Sequence, residues 1–293
     1  MEIGLLISGN LGLIILKELI ESKHSLSFVF SDSGSEEIIK TCVNYKIPCF
    51  SGNPRNHRAK DFLEKIPTPK LLLSVNYLFI IEDDVIAKTE SYAVNIHGSL
   101  LPKFRGRTPH VWAIINGEKQ TGITGHIITK SCDEGDIIYQ EIVSIGDDDT
   151  GYQILRKFNN RYPVIVHRII SMIEKNEVKL IPQNDNEATY FGKRTQTDGL
   201  INWNWQKERI KNWVRAQANP YPGAFTFYER NKIIIHKIEF CDKGFHYNDI
   251  NGKILSVDGG LIVKTPNGAV KIIECSWDHS LDFIAGKIFN NGY

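Results

Sequence analysis

The sequence has 293 residues, of which 42% are hydrophobic and 24% are charged, and its formal net charge is +1 at pH 7. This balance is typical of a folded globular protein and excludes a disordered or polyelectrolyte chain. The length allows two domains of unequal size, and the near-zero charge gives no indication of nucleic-acid binding.

The first half of the chain alternates short apolar runs with helical patterns. Residues 2–8 form an apolar run that ends in the glycine turn SGNLG, and a helical pattern follows. The runs LSFVFS at 26–31 and LLLSV at 71–75 are typical of further buried strands. This alternation predicts an α/β fold with a doubly wound, mostly parallel, Rossmann-like sheet over residues 1 to about 145.

The start of the chain carries two other signals. Glu2 stands where a signal peptide would have a basic leader, and no segment reaches the roughly 20 apolar residues of a membrane span. The turn SGNLG contains only half of the dinucleotide fingerprint GxGxxG, so an NAD cofactor is not expected, although an anion can bind at such a helix N-terminus. We therefore expect a cytoplasmic protein without a membrane partner.

A long helical pattern follows the acidic segment GDDDT. Asp149 or Thr150 can cap this helix, and Pro163 can bend it. We interpret the aspartates as residues that favour the start of a helix rather than as a metal site.

The last third of the chain changes character. Residues 176–200 are typical of a linker, and the helical pattern WQKERIKNWVRAQA follows. Short β-rich runs with Asn-Gly and Gly-Gly turns then predict a small antiparallel, OB-like β-barrel. We therefore expect a catalytic domain with its linker over residues 1–200 and a β-rich domain over 201–293.

Residues 91–140 contain the densest set of reactive side chains. In the predicted strand AVNIH, Asn95 and His97 are two residues apart, so both side chains point to the same face of the sheet. The loop-forming segment GSLLPKFRG places this pair at a strand end, where open α/β sheets build their sites. Asp133 follows a further predicted strand at 121–129 and can return a carboxylate to the same crevice.

These three side chains suit acyl transfer to an amine. His97 can accept the amine proton near neutral pH, and Asn95 can stabilise the tetrahedral oxyanion by about 3 kcal/mol. Asp133 can orient the imidazole or stabilise its charged form. An Asn-x-His pair alone is a weak signal, because most histidines near strand ends are structural.

A longer pattern makes the prediction specific. The segment NIHGSLLPKFRGRTPHVWAIINGEKQTGITGHIITKSCDEGDII contains NxHxSLLPxxRG, WAIxxGE, TGxTxH and DxGDI in order. It resembles the signature region of the folate-dependent formyltransferases. The resemblance implies transfer of a formyl group from 10-formyltetrahydrofolate to an amine, with the family's catalytic asparagine, histidine and aspartate at Asn95, His97 and Asp133.

The resemblance also implies a pterin pocket with mostly backbone hydrogen bonds. It would consist of a loop near residues 78–83 and the turn at 133–136. The implied cofactor contacts are Ile81, Leu101, Asp133 and Asp136. The family often has proline where this chain has Glu82, and Asp136 can alternatively shape its turn.

Neighbouring side chains have simpler interpretations. Arg105 and Gly106 are expected to fix loop geometry rather than to contact substrate. His110 and His126 could form a metal site with His97, but no ligand spacing supports it, and the five scattered cysteines form no CxxC pair. We therefore expect no metal.

The acceptor must be inferred from the rest of the chain. Residues 201–293 carry 12 Lys and Arg against 9 Asp and Glu, a small excess for a surface that would bind RNA. A basic insertion that methionyl-tRNA formyltransferases share after the second strand is replaced by SDSGSEEIIKTC. YFGKRTQTDGLINWNW and RAQANPYPGAFTF resemble the linker and barrel entry of sugar-nucleotide formyltransferases.

We therefore expect a nucleotide-linked amino sugar as the acceptor and no nucleic-acid partner. The alternatives are methionyl-tRNA and, second, a non-catalytic binding module on the same fold. The candidate substrate contacts are Asn10, Tyr77 and Tyr221, the last as a stacking partner for the base. The oligomeric state stays open, with a homodimer as one alternative.

Overall fold

The structure is a computed structural model that describes residues 1–277 and 281–290. The chain forms two compact units. The first comprises Met1–Gly106, Thr121–Val143 and Lys157–Phe191, and the second comprises Arg107–Gln120, Ser144–Arg156 and the described part of Gly192–Tyr293. The predicted domain boundary after residue 200 stays a prediction. None of the described helices is long and apolar enough to cross a membrane.

The helices and strands of the described residues follow one another in an order typical of α/β proteins up to residue 144. After one long helix, the chain continues mainly as strands. The elements are β1 Glu2–Ile7, α1 Gly9–Ile20, β2 Ser25–Ser31, α2 Glu36–Asn44, β3 Cys49–Ser51, α3 Lys60–Lys65, β4 Leu71–Val75, α4 Asp83–Ile86, β5 Tyr92–His97, β6 Arg105–Gly106, α5 Pro109–Ile115, β7 Gln120–Ile127, β8 Ile137–Ser144, α6 Gly151–Glu174, β9 Tyr190–Phe191, α7 Lys207–Ala216, β10 Ala224–Tyr228, β11 Asn231–Cys241, β12 Ile254–Ser256, β13 Leu261–Thr265 and β14 Gly268–Ser276.

The first unit is built on a seven-stranded sheet with the order β3-β2-β1-β4-β5-β7-β8. The five strands from β3 to β5 are parallel, and β7 is antiparallel to β5. The strand order reverses between β1 and β4, which is where open sheets form a ligand crevice. The predicted mostly parallel α/β sheet is confirmed, and β8 is a strand that the sequence pattern did not predict.

Helices cover both faces of this sheet. On one face, Leu6 and Phe30 pack with Leu63 of α3 and with other buried apolar side chains. Because alternate residues of a strand point to opposite faces, Leu5 and Ile7 face the other side, and they are fully buried as well. The helix α1 packs against β1, β2 and β4. The predicted doubly wound arrangement is therefore confirmed.

The helix α6 begins with a reciprocal cap. The backbone N–H of Gln153 donates to Oγ1 of Thr150 at 3.2 Å, and the N–H of Thr150 donates to Oε1 of Gln153 at 2.8 Å. This geometry satisfies backbone donors that a helix start leaves unpaired. The predicted cap at Thr150 is confirmed, whereas Asp149 accepts the N–H of Gly146 at 2.6 Å.

The second unit contains a five-stranded antiparallel sheet with the order β10-β11-β14-β13-β12. Near the end of the chain, Asn290 forms a bridge with Phe227 of β10, and Ile288 forms a bridge with Lys253 beside β12. These bridges join the two edge strands through the segment 281–290, which closes the sheet. Trp203 and Phe289 stack inside it with ring centroids 5.6 Å apart. The predicted small antiparallel barrel is confirmed.

Candidate active site

The strand β5 presents Asn95 and His97 on one face of the sheet. Asn95 lies between Ser74 of the parallel strand β4 and His126 of the antiparallel strand β7. This register makes His126 the direct cross-strand neighbour of Asn95. The two-residue spacing that the sequence shows therefore produces one polar face that also includes a residue from another strand.

The imidazole of His97 is buried and held from one side. Its Nε2 lies 2.9 Å from the carbonyl oxygen of Phe104. A carbonyl can only accept, so Nε2 carries the proton of this hydrogen bond. Phe104 has a positive φ of 60°, an uncommon conformation that presents this carbonyl to His97. The other ring nitrogen, Nδ1, lies 3.6 Å from Oδ2 of Asp133.

Asp133 brings a buried carboxylate to the same face. Its side chain is 10% exposed, and its φ of 57° lies in the left-handed region. Burial raises the pKa of the Asp133 carboxyl, but nearby His97 and His126 and the backbone N–H of Gly106 lower it more, so the pKa lies below the ordinary value. The carboxylate is therefore negatively charged at neutral pH.

Two glycines allow this approach. The N–H of Gly106 donates to Oδ2 of Asp133 at 2.9 Å, and Gly106 has a φ of 97°. A Cβ at Gly106 would overlap the carbonyl oxygen of Phe191, and a Cβ at Gly135 would overlap that of Ile127. Both glycines are thus required by the backbone path around Asp133.

His126 is a site residue that sequence reasoning missed. Its Nδ1 lies 2.9 Å from the carbonyl of Ile127, so in the neutral imidazole Nε2 is the acceptor. That Nε2 lies 3.2 Å from Nδ2 of Asn95 and 3.5 Å from Oδ1 of Asp133. The motif TGxTxH was noted, but His126 was weighed only as a metal ligand, because the register of β7 on β5 is not visible in the sequence.

The arrangement combines three chemical capabilities within one small region. Nδ1 of His97 can accept a proton, and the carboxylate of Asp133 can stabilise the resulting imidazolium. The amide of Asn95 has two N–H groups, one of which is anchored by His126. Nδ2 also lies 3.5 Å from Oδ1 of Asp133, a long contact that an oxyanion can replace as acceptor, as preorganised donors of acyl-transfer sites require.

Comparison with known protein families shows the family of the chain. Residues 16–170 match the sequence profile of the Formyl transferase family, and residues 193–290 match its C-terminal domain. The chain belongs to the formyl transferase family. This confirms the family that the motifs between Asn95 and Ile138 predict, and members of this family are formyl-transferring enzymes.

One relative matches most of this chain. ArnA, the bifunctional polymyxin resistance protein of Wigglesworthia glossinidia brevipalpis, is 34% identical over 275 residues, which are 92% of this chain and 41% of ArnA. The chain therefore spans less than half the length of ArnA.

Two solved structures share the fold. WlaRD, a sugar 3N-formyl transferase in the presence of dTDP and 5-N-formyl-THF, is 19% identical with a TM-score of 0.72, covering 96% of this chain and 99% of WlaRD. The N-formyltransferase of Helicobacter canadensis in complex with folinic acid and dTDP-3-aminofucose is 18% identical with a TM-score of 0.71, covering 92% and 97%. At identities of 18 and 19%, the similarity of these structures to this chain shows a shared fold.

The predicted cofactor residues other than Asp133 lie in three places. Ile81 is half-buried and packs on an apolar cluster of the sheet. Leu101 is buried, its N–H donates to Thr124 at 3.3 Å, and its carbonyl accepts from Gln140 at 2.8 Å. The carbonyl of Asp136 accepts from Ile127 at 2.9 Å, in the turn that carries Asp133. The backbone groups of Leu101 are therefore already used within the protein.

Glu82, which stands where the family often has proline, has a defined structural role. Its carboxylate accepts the backbone N–H of Asn56 at 2.8 Å and faces Nε of Arg55 at 3.3 Å. Glu82 also precedes α4 with a φ of −87°. In this chain the side chain of Glu82 ties the segment near residue 56 to the loop 78–83.

Two of the predicted substrate residues follow the neighbouring strands β1 and β4 of the first unit. Asn10 is exposed in the first turn of α1, and Tyr77 is half-buried and packs edge-on against Phe79 at 5.5 Å. Asn76 donates to the carbonyl of Ser8 at 2.9 Å, which joins the ends of the two strands. The buried hydroxyl of Tyr77 has no hydrogen-bond partner among the described residues, and burial raises the pKa of Tyr77.

The third predicted substrate residue belongs to the second unit. The hydroxyl of Tyr221 lies 2.8 Å from Nε2 of His110. Burial raises the pKa of Tyr221 to about 12 and lowers the pKa of His110 to about 4. Both side chains are therefore neutral at physiological pH. The first unit brings Asn95, His97 and Asp133 together, whereas Tyr221 is not a member of that cluster.

The described residues contain no group of three or more histidine, cysteine or acidic side chains arranged to hold a metal ion. The aspartates of the segment 147–149 have other contacts. Asp147 pairs with Lys119 at 2.7 Å, and Asp148 pairs with Lys211 at 2.7 Å.

Proposed function

We propose that this protein transfers the formyl group of 10-formyltetrahydrofolate to the amino group of a nucleotide-linked amino sugar. The observation that carries the proposal is the cluster of Asn95, His97 and Asp133 on one sheet face, within a chain of the formyl transferase family. Because this chain matches only 41% of the length of ArnA, the activity of the whole protein is also a proposal.

The mechanism follows from the hydrogen bonds. As the amine nitrogen attacks the formyl carbon, Nδ1 of His97 accepts a proton, because Nε2 is already committed to Phe104. The former carbonyl oxygen becomes an oxyanion to which Nδ2 of Asn95 donates. Asp133 stabilises the imidazolium. The bond between the formyl carbon and N10 then breaks, N10 takes up the proton that the His97 imidazolium gives back, and the products are the N-formyl amine and tetrahydrofolate.

Two relatives support the donor and the acceptor. WlaRD is described with 5-N-formyl-THF and dTDP, and the Helicobacter canadensis protein with folinic acid and dTDP-3-aminofucose. We propose Ile81, Leu101, Asp133 and Asp136 as residues around the folate. Asn10, Tyr77 and Tyr221 are proposed for the acceptor. The hydroxyl of Tyr77 has no partner among residues 1–277 and 281–290, which is consistent with a polar ligand at that position.

The charge distribution argues against transfer RNA as the acceptor. Residues 201–293 have an excess of only three positive charges, and phosphate neutralisation by Lys and Arg supplies most of the affinity for RNA. The five cysteines are all free, which is consistent with the reducing conditions of the cytoplasm, where we propose that the reaction occurs.

An acceptor screen tests the proposal. Purified protein is incubated with 10-formyltetrahydrofolate and with uridine-, thymidine- or guanosine-linked amino sugars, and tetrahydrofolate and the N-formyl sugar are measured. We expect turnover with one class of amino sugar and none with initiator methionyl-tRNA. Formylation of methionyl-tRNA alone would replace the sugar acceptor, and no turnover with any amine would contradict the activity.

A further inference from the structure

Arg105 is a buried cation outside the catalytic cluster. Its side chain is 1% exposed, and its guanidinium nitrogens donate to acceptors on the chain that follows residue 180. Nη2 lies 2.9 Å from the carboxylate of Asp185, and Nη1 lies 2.5 Å from the hydroxyl of Tyr190. Nε and Nη2 both donate to Oε1 of Gln183, at 3.1 and 2.8 Å. Arg105 thus holds Gln183 by a forked pair of hydrogen bonds.

This pair fixes the orientation of the Gln183 amide. Arg105 can only donate, so Oε1 of Gln183 must face it, and Nε2 must point away. Nε2 donates to the carbonyl of Asp133 at 2.8 Å and to the carbonyl of Gly135 at 2.7 Å. Both N–H groups and the carbonyl of Gln183 are therefore satisfied.

The turn that Gln183 holds is the one that carries the Asp133 carboxylate. Asp133 has a left-handed φ of 57°, a conformation that needs support from outside the turn. The support comes from two adjacent residues of one strand. Arg105 acts on the backbone of Asp133 through Gln183, and the N–H of Gly106 binds its carboxylate at 2.9 Å.

We propose that Gln183, oriented by Arg105, is a positioning residue that sets the Asp133 carboxylate opposite Nδ1 of His97. The inference rests on the proposed function for its kinetic consequence but not for its geometry. Nothing in the sequence motifs marks Gln183, which lies 50 residues after Asp133 in the linker segment.

The substitution Gln183→Glu separates the two halves of this interaction. A glutamate can still accept from Arg105, but it cannot donate to the carbonyls of Asp133 and Gly135, and it repels them. Because small displacements in an active site cost up to about 100-fold in rate, we expect kcat to fall about 10- to 100-fold with KM little changed. The matched control is Gln196→Glu, the same substitution at an exposed glutamine, which should leave kcat unchanged.

Two further readouts distinguish positioning from a general structural role. In an Asp133→Asn background, Gln183→Glu should lower kcat by less than about twofold, because residues that act through one another are not additive. Hydrogen exchange at the Gly106 amide, which the carboxylate protects, should become faster in Gln183→Glu while exchange elsewhere in the sheet is unchanged. If Gln183→Glu does not fold, Arg105→Lys, which cannot make the forked contact, provides the same three measurements.

The outcomes are separable from those of the proposed function. A folded variant with wild-type kcat, additive losses in the double variant, or unchanged Gly106 exchange would each overturn the inference. If the wild-type protein transfers no formyl group to any amine, the proposed function fails, but the exchange of the Gly106 amide still tests the position of Asp133.

Discussion

His97 donates its Nε2–H to the carbonyl of Phe104 at 2.9 Å, and this leaves Nδ1 as the nitrogen that faces Asp133. The sequence suggested that Asp133 either orients the imidazole or stabilises its charged form, and the Phe104 carbonyl is closer and makes the better hydrogen bond for orientation. At 3.6 Å, the carboxylate is placed to stabilise a positive charge on the ring. The following predictions depend on this division between orientation and charge.

We predict that His97→Asn or Asn95→Ala lowers kcat by at least about 100-fold, because each removes a group that acts on the transition state. The melting temperature should change little, since neither residue belongs to the apolar core. His57, whose side chain is 77% exposed, provides the matched control His57→Asn, with an unchanged rate. Steady-state kinetics and thermal melting check both expectations, and near wild-type rates in either variant would remove the mechanism.

The pH dependence of Asp133→Asn tests the charge interaction. The imidazolium that forms on His97 during the reaction loses its anionic partner in this variant and is less stable, so kcat/KM at the pH optimum should fall. The ionisation of the acceptor amine is titrated separately, because it shapes the profile as well. A variant that keeps the wild-type kcat/KM at its optimum would contradict the role of Asp133.

Asp133 should also contribute to stability in a pH-dependent way. Its folded-state pKa is below the ordinary value, so its contribution is fully present above that value and is lost as the pH falls below it. The difference in unfolding free energy between wild type and Asp133→Asn should shrink by about 1 kcal/mol from pH 7 to pH 3. Urea unfolding at both pH values measures it, and a constant difference would show that the carboxylate is not stabilised by folding.

The turn after Asp133 should tolerate no side chain at Gly135. A Cβ there would overlap the carbonyl oxygen of Ile127, so we predict that Gly135→Ala lowers the free energy of unfolding by about 1 to 3 kcal/mol and reduces activity. At Gly192, a Cβ would meet nothing within 4 Å, and Gly192→Ala should be neutral. Denaturant unfolding of the two alanine variants tests this prediction. Equal free energies of unfolding would contradict it, because the turn could then accommodate a Cβ at Gly135 without loss of stability.

Much of the fold was predictable because its signals are local. The apolar runs at 26–31 and 71–75 mark buried strands through their own composition, and the turns between the last strands mark short antiparallel connections. Strand β8 was not predicted because Ile137–Ser144 mixes polar and apolar residues without a clear period. The antiparallel direction of β7 was not predicted either, since the direction of a strand is set by its pairing with a neighbouring strand rather than by its own residues.

The site was predictable only in part, because only some of its residues are linked by local sequence spacing. Asn95 and His97 share a strand, so their spacing reveals their common face. His126 reaches the site through the register of β7 on β5, and Gln183 reaches it because the linker returns to the Asp133 turn. Neither contact produces a periodic pattern in the sequence. Asp133, 38 residues after Asn95, was a candidate because it follows a predicted strand, and the resemblance to a family then marked it as catalytic.

The most direct test follows an isotopically labelled formyl carbon. Wild-type protein is mixed with 10-formyltetrahydrofolate labelled at the formyl carbon and with the amino sugar found in the acceptor screen, and NMR locates the label. The account predicts that the label appears on the sugar nitrogen, with one tetrahydrofolate formed for each N-formyl sugar, and that His97→Asn suppresses the transfer. Label that is released as free formate, or that reaches the sugar equally fast with His97→Asn, would contradict formyl transfer by the cluster of Asn95, His97 and Asp133.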